Sequence, residues 1–168
     1  MAAVAVHAME PQETPYSARI TAAPSKSVAC RAEAGWHANI LVVDDDEADM
    51  TLIKHLLVHN PRVGTVFSNT APESALDQLA RHEYWPDLIL LDVRMPRMNG
   101  FRFLEALRKI PKMKPIPVVL LTTSNLEGDM QRAREADVSG YVVKQESYEQ
   151  FRMAIDGVIS RLVDWDWN

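Results

Sequence analysis

Residues 88–92 read Leu88-Ile89-Leu90-Leu91-Asp92, four apolar side chains followed at once by a carboxylate. The run is short for a helix and lacks the alternation of a half-exposed strand, so it fits a strand covered on both faces. The same shape recurs. Ile40-Leu41-Val42-Val43 runs into Asp44, Asp45 and Asp46; Val118-Val119-Leu120-Leu121 into Thr122 and Thr123; Tyr141-Val142-Val143 into Lys144. Residues 63–68 supply a further strand candidate.

Helical patterns separate these runs. Residues 47–59 place Leu52, Ile53, Leu56 and Leu57 on one face, and Asn60-Pro61 stops them. Residues 71–82 carry Pro72 in the first turn, where a missing N–H does no harm. Residues 100–110 end in Arg108, Lys109 and then Pro111, and residues 126–136 make a fourth segment. Residues 148–163 set Phe151, Ile155, Val158, Ile159 and Leu162 along one stripe. Strands alternating with helices imply parallel strands joined by right-handed crossovers. The expected fold class is therefore α/β, a doubly wound five-stranded parallel sheet with five helices.

Composition narrows the function. A chain of 168 residues with 47% hydrophobic and 24% charged residues has room for one domain and a tail. The net charge of -5 argues against broad capture of nucleic acid. Cys30 is the single cysteine, so no internal disulfide can form and a reducing, cytoplasmic setting is expected. No run nears the roughly 20 apolar residues that span a bilayer, and Met1–Ala8 lacks a basic leader. Residues 1–37 are rich in Ala, Ser and Thr, with Pro11, Pro15 and Pro24 and no periodicity; a disordered N-terminal tail is expected. The scattered glycines form neither a dinucleotide fingerprint nor a P-loop.

In an open parallel sheet, ligands bind beyond the carboxyl ends of the strands. Asp44, Asp45, Asp92, Thr122 and Lys144 would all converge there. Two like charges about 4 Å apart repel by about 4 kcal/mol at an effective dielectric near 20, so a cation or proton must relieve three carboxylates. Only oxygen ligands are offered, which favours a hard cation; magnesium commonly takes one or two carboxylates plus phosphate oxygens. A lone Asp-Asp pair before a helix could equally serve as cap and dipole partner. The combination, spread over the ends of four different strands, is what points to phosphoryl chemistry.

The blocks Ile-Leu-Val-Val-Asp44-Asp45, Leu-Leu-Asp92-Val-Arg-Met-Pro96-Arg-Met-Asn-Gly100, Pro-Val-Val-Leu-Leu-Thr122-Thr and Ser-Gly-Tyr141-Val-Val-Lys144 resemble the response-regulator receiver domains of two-component signalling. The resemblance runs from about residue 39 to 163 and makes 38–168 the receiver domain. It implies the flavodoxin-like strand order 2-1-3-4-5. It also implies Asp92 as phosphoacceptor, and a Mg2+ ion on Asp44, Asp45, Asp92 and the backbone carbonyl of Arg94. Thr122 and Lys144 would hold the phosphoryl group, and Tyr141 would be the aromatic that follows the threonine. The implied partners are a sensor histidine kinase and either a downstream protein target or a histidine phosphotransferase, with homodimerisation an open alternative. No enzyme activity beyond self-phosphorylation from a donor and slow autodephosphorylation is expected, and no nucleic-acid or membrane partner.

Two rival readings separate by residue. A haloacid-dehalogenase-like phosphatase would need a second Asp two positions after the nucleophile, where Arg94 stands. A phosphorelay intermediate shares every pocket residue with an output switch and differs in how readily phosphate returns to histidine. Receivers usually carry proline after the lysine, whereas here Gln145 follows Lys144. A cis bond before a non-proline residue costs about 2.5–4 kcal/mol, so a trans bond is expected there. This replaced proline, the Leu-Thr-Thr-Ser-Asn run and the terminal Trp165 and Trp167 resemble the small receivers that partner phytochrome-like histidine kinases.

Overall fold

A strand with apolar side chains on both faces must be covered from both sides, and the chain does this with two groups of helices. The computed structural model describes residues 37–123, 131–133, 135–136, 138–144 and 147–163, with the side chains of 162 and 163 excepted. The expectations for the tail before residue 37, for the 144–145 bond and for the terminal tryptophans lie outside these residues. The strands are β1 (Ala38–Val43), β2 (Val63–Asn69), β3 (Leu88–Asp92), β4 (Val118–Thr122) and β5 (Gly140–Val143). They form one sheet of order β2-β1-β3-β4-β5 with every pairing parallel. The helices are α1 (Glu47–Val58), α2 (Pro72–Ala80), α3 (Gly100–Leu107) and α5 (Tyr148–Val163). Residues 131–133 and 135 belong to α4, where the Ala136 N–H bonds the Arg132 carbonyl at 2.9 Å.

The period of two along each strand decides what each face buries. Ile40, Val42, Leu88, Leu90, Val119, Leu121 and Val142 pack with Ile53 and Leu57 of α1 and with Phe151, Ile155 and Val158 of α5. Leu41, Val43, Ile89, Leu91, Val118 and Leu120 pack on the other face with Leu79 of α2, Phe103 and Leu107 of α3 and Ala133 of α4. Each fully buried Leu, Ile or Phe contributes about 1.5–3 kcal/mol, so the sheet is the thermodynamic centre of the domain.

Helix ends follow local chemistry. Asp46 caps α1, accepting from the N–H groups of Ala48 at 2.8 Å and Asp49 at 3.1 Å. Asn99 caps α3 through the Arg102 N–H at 3.0 Å. Two helices stop short of the sequence-based expectation. The periodicity of α2 extends to residue 82, but His82 takes a φ of 59° and ends it. α3 gives way after Leu107 to tight turns, with the Lys109 N–H on Ala106 O and the Ile110 N–H on Leu107 O, ahead of Pro111.

Gly100 opens α3 directly behind the end of β3. Its N–H donates to Val93 O at 3.0 Å, and a Cβ there would overlap the backbone carbonyl oxygen of Asp92. Gly100→Ala is therefore expected to cost about 1–3 kcal/mol in urea unfolding. The paired control is Gly157→Ala in α5, where a Cβ meets nothing within 4 Å. It should instead add about 0.5–1 kcal/mol through helix propensity.

Candidate functional site

Register and face parity together bring the polar strand ends to one place. Val43 pairs with Leu91 across β1 and β3, so Asp44 and Asp92 leave adjacent central strands side by side. Asp44, Asp92 and Lys144 each lie two residues beyond Val42, Leu90 and Val142, all members of the cluster facing α1 and α5. They continue that parity and meet. Lys144 Nζ lies 2.7 Å from Asp44 Oδ2, 2.7 Å from Asp92 Oδ1 and 2.7 Å from Asp49 Oδ2, the last reaching in from the first turn of α1. The Lys144 backbone is fixed as well, its N–H donating to Thr122 O at 2.7 Å.

Both buried carboxylates are held at both oxygens. Asp44 Oδ1 accepts from the Asp46 N–H at 3.0 Å while Oδ2 faces Lys144. Asp92 Oδ2 accepts from the Arg94 N–H at 2.6 Å while Oδ1 faces Lys144. Asp45 is exposed beside them. Ligand oxygens of Asp44, Asp45 and Asp92 all lie within 4.8 Å of one another. Three carboxylates this close, with no nitrogen or sulfur donor among them, fit a hard divalent cation.

The electrostatics have named causes. Burial pushes the Asp44 carboxyl up from 3.8 to about 6, against the opposing hydrogen bond and charge of Lys144. Burial would lower Lys144, but the hydrogen bonds its ammonium donates to Asp44, Asp49 and Asp92 outweigh it and hold the ammonium well above the ordinary lysine range. Near neutral pH the Asp44 carboxylate and the Lys144 ammonium are thus in contact as an ion pair. Asp46, capping the helix, is held below its usual value by the N–H groups of Asp49 and Ala48.

Thr122 and Tyr141 belong to the other parity. Thr122 is fully buried at the end of β4, two residues beyond Leu120. Leu120 pairs with Tyr141, which is half-buried and packs against the cluster facing α2 and α3. The two therefore share one face, one step apart across β4 and β5. Arg94 contributes its N–H to Asp92. Asp49 is the pocket residue that the strand-end pattern missed. It follows Asp44 by five residues and sits in α1, and the one sequence signal for it is an acid in the first turn of that helix.

Asp44 gives the metal-free protein a specific pH response. Its carboxyl titrates near 3.8 unfolded and near 6 folded, so the fold favours the protonated form. That contribution is complete below the unfolded value and is lost as pH rises through about 6. In chelator, the protein should lose about 1–2 kcal/mol of unfolding free energy between pH 5 and pH 8 from this group. Asp44→Asn should flatten that slope. Saturating divalent cation should restore stability at pH 8, because it binds the folded, deprotonated pocket. Urea unfolding at the two pH values, with and without the ion, reads all three effects.

Residues 40–156 match the family model of the response regulator receiver domain. The polar-differentiation response regulator DivK of Brucella ovis is 32% identical over 113 residues, covering 67% of this chain and 89% of DivK. The phosphorylated cyanobacterial phytochrome response regulator RcpA superposes with a TM-score of 0.68 at 28% identity, over 76% of this chain and 94% of RcpA. Response regulator Rcp1, solved in a Mn2+-bound form, superposes with a TM-score of 0.67 at 29% identity, over 76% of this chain and 96% of Rcp1. With the family match running from β1 into α5 and solved response regulators superposing over 76% of the chain, the chain belongs to the response regulator receiver domain family of two-component signalling.

Proposed function

We propose that the protein is a stand-alone response regulator that accepts a phosphoryl group on Asp92 from the phosphohistidine of a sensor histidine kinase and signals by phosphorylation-controlled docking to another protein. The observation that carries this is the contact of Asp92 Oδ1 with Lys144 Nζ at 2.7 Å, inside a cluster of carboxylates able to hold a metal ion. The near-complete coverage of DivK, RcpA and Rcp1 supports the stand-alone reading. Among the described residues no helix is long and apolar enough to cross a membrane.

In the transfer an Asp92 oxygen forms a bond to phosphorus as the donor's P–N bond breaks, and the electron pair leaves on the imidazole nitrogen. An ionised carboxylate is already a nucleophile, so no general base is required. What the reaction needs is positioning and neutralisation of the phosphoryl oxygens. The Arg94 N–H holds Asp92 Oδ2 at 2.6 Å and leaves the carboxylate one fixed orientation. Lys144 supplies positive charge, and Thr122 a hydroxyl donor from the end of β4. Asp44, Asp45, Asp92 and the Arg94 carbonyl would hold Mg2+, which when bound offsets negative charge on the phosphoryl oxygens. After transfer, Thr122 moves toward the phosphoryl group and Tyr141 follows on the same face. The surface of α4, β5 and α5 then changes, a two-state element biased by local charge.

Incubation with acetyl phosphate and Mg2+ should add one phosphoryl mass to the intact protein, and none to Asp92→Asn. Chelation of the ion should abolish the gain in the parent. Labelling of Asp92→Asn to the parental extent would place the acceptor elsewhere and overturn this function.

A further inference from the structure

The three N–H bonds of the Lys144 ammonium are fully subscribed. An ammonium offers three donors and no acceptor, and Asp44, Asp49 and Asp92 each place an oxygen 2.7 Å from Nζ. Asp44 and Asp92 come from strand ends, with side chains only 1% and 6% exposed. Asp49 comes from α1 and is 34% exposed, at the rim.

Its engagement is not a by-product of helix capping. In a capping box a Glu or Gln at the third helical position reaches back to the N–H of the cap residue. Here that N–H, of Asp46, donates to Asp44 Oδ1 at 3.0 Å. The Asp49 carboxylate turns instead to Lys144. Nor does the lysine need Asp49 for its placement. The Lys144 N–H is bonded to Thr122 O at 2.7 Å, and two buried carboxylates already hold Nζ.

We propose that Asp49 is a positioning residue acting through Lys144: a rim carboxylate that shares the ammonium with the pocket and thereby slows transfer of a doubly charged phosphoryl group to Asp92. This role presupposes Asp92 as the phosphoacceptor. An arriving phosphoryl oxygen requires an N–H from Lys144, and one is released only when a carboxylate lets go. Until then the Asp49 charge also faces the incoming anion and repels it. Asp49 itself forms and breaks no bond to phosphorus.

The test measures initial rates of phosphorylation by intact mass at saturating Mg2+, for the full chain and for Asp49→Asn, Asp49→Ser and Asp49→Glu, each shown folded by thermal melting. Two donors are used: acetyl phosphate, a dianion near neutral pH, and phosphoramidate, whose protonated nitrogen leaves the whole donor with one net negative charge. Asp49→Asn and Asp49→Ser should be phosphorylated about fivefold faster than the parent by acetyl phosphate, with a smaller gain from phosphoramidate. Asp49→Glu, which keeps the charge, should remain within about twofold of the parent. Unchanged or slower rates in the neutral variants would overturn the proposal, as would acceleration in Asp49→Glu. Failure of the parent to be phosphorylated by either donor would instead overturn the assignment of Asp92.

Discussion

The ammonium of Lys144 is in contact with oxygens of Asp44, Asp49 and Asp92 at 2.7 Å each, and the arrangement of the strand-end pocket depends on that one group. Two of those carboxylates are nearly inaccessible to water. Their mutual repulsion would be several kcal/mol if nothing stood between them. Removing one partner from such a buried set is costly, because the charges left behind have neither water nor a counterion. The lysine therefore does two jobs with one contact. It makes a cluster of acids compatible with a folded pocket, and it keeps a cation beside the carboxylate that is proposed to react.

The contact exists because of how parallel strands count. Strands that start in register end in register, and residues two apart share a face. Asp44, Asp92 and Lys144 extend the rows of Val42, Leu90 and Val142, so they emerge toward α1, the helix that supplies Asp49. Thr122 and Tyr141 extend the opposite rows, over α2 and α3. The sheet thus separates charge from signal. One face's edge collects the charged groups Asp44, Asp92 and Lys144, and the other holds Thr122 and Tyr141, the pair proposed to move. The Lys144 N–H on Thr122 O joins the two across the end of β4.

This logic also explains what the chain discloses without coordinates. Apolar runs ending in Asp44, Asp92, Thr122 and Lys144 disclose both the sheet and most of the pocket, because a strand buried on both faces leaves its sequence no freedom except at its end. Helix termini are less legible. α2 keeps a helical pattern through residue 82, yet it stops at Ala80 because His82 adopts a left-handed backbone, a choice made by the turn into β3. Asp49 is the least legible of all. An acid in a first helical turn is ordinary as a dipole partner. Its contact with the lysine becomes visible only in the fold, where the Asp46 N–H is bonded to Asp44 and the Asp49 carboxylate reaches Lys144.

A count of charges shows why the pocket is suited to a divalent ion and why the lysine's loyalties matter. With Asp44, Asp45, Asp49 and Asp92 ionised, four carboxylates stand against one ammonium, leaving three negative charges in excess. A monovalent ion would leave two, and a divalent ion one. In the proposed reaction a singly charged carboxylate becomes a doubly charged acyl phosphate, so the excess grows again at the moment of transfer. Only a group already in the pocket can answer it without the delay of recruiting another ion. Lys144 is such a group, and it can respond by shifting its N–H bonds among carboxylates already within reach. The carboxylate with least hold on it is the one at the rim, where water can take its place, whereas Asp44 has no such exchange available. Release of the lysine on phosphorylation should therefore run outward through Asp49 and α1, while Asp44 keeps the ammonium anchored to the sheet.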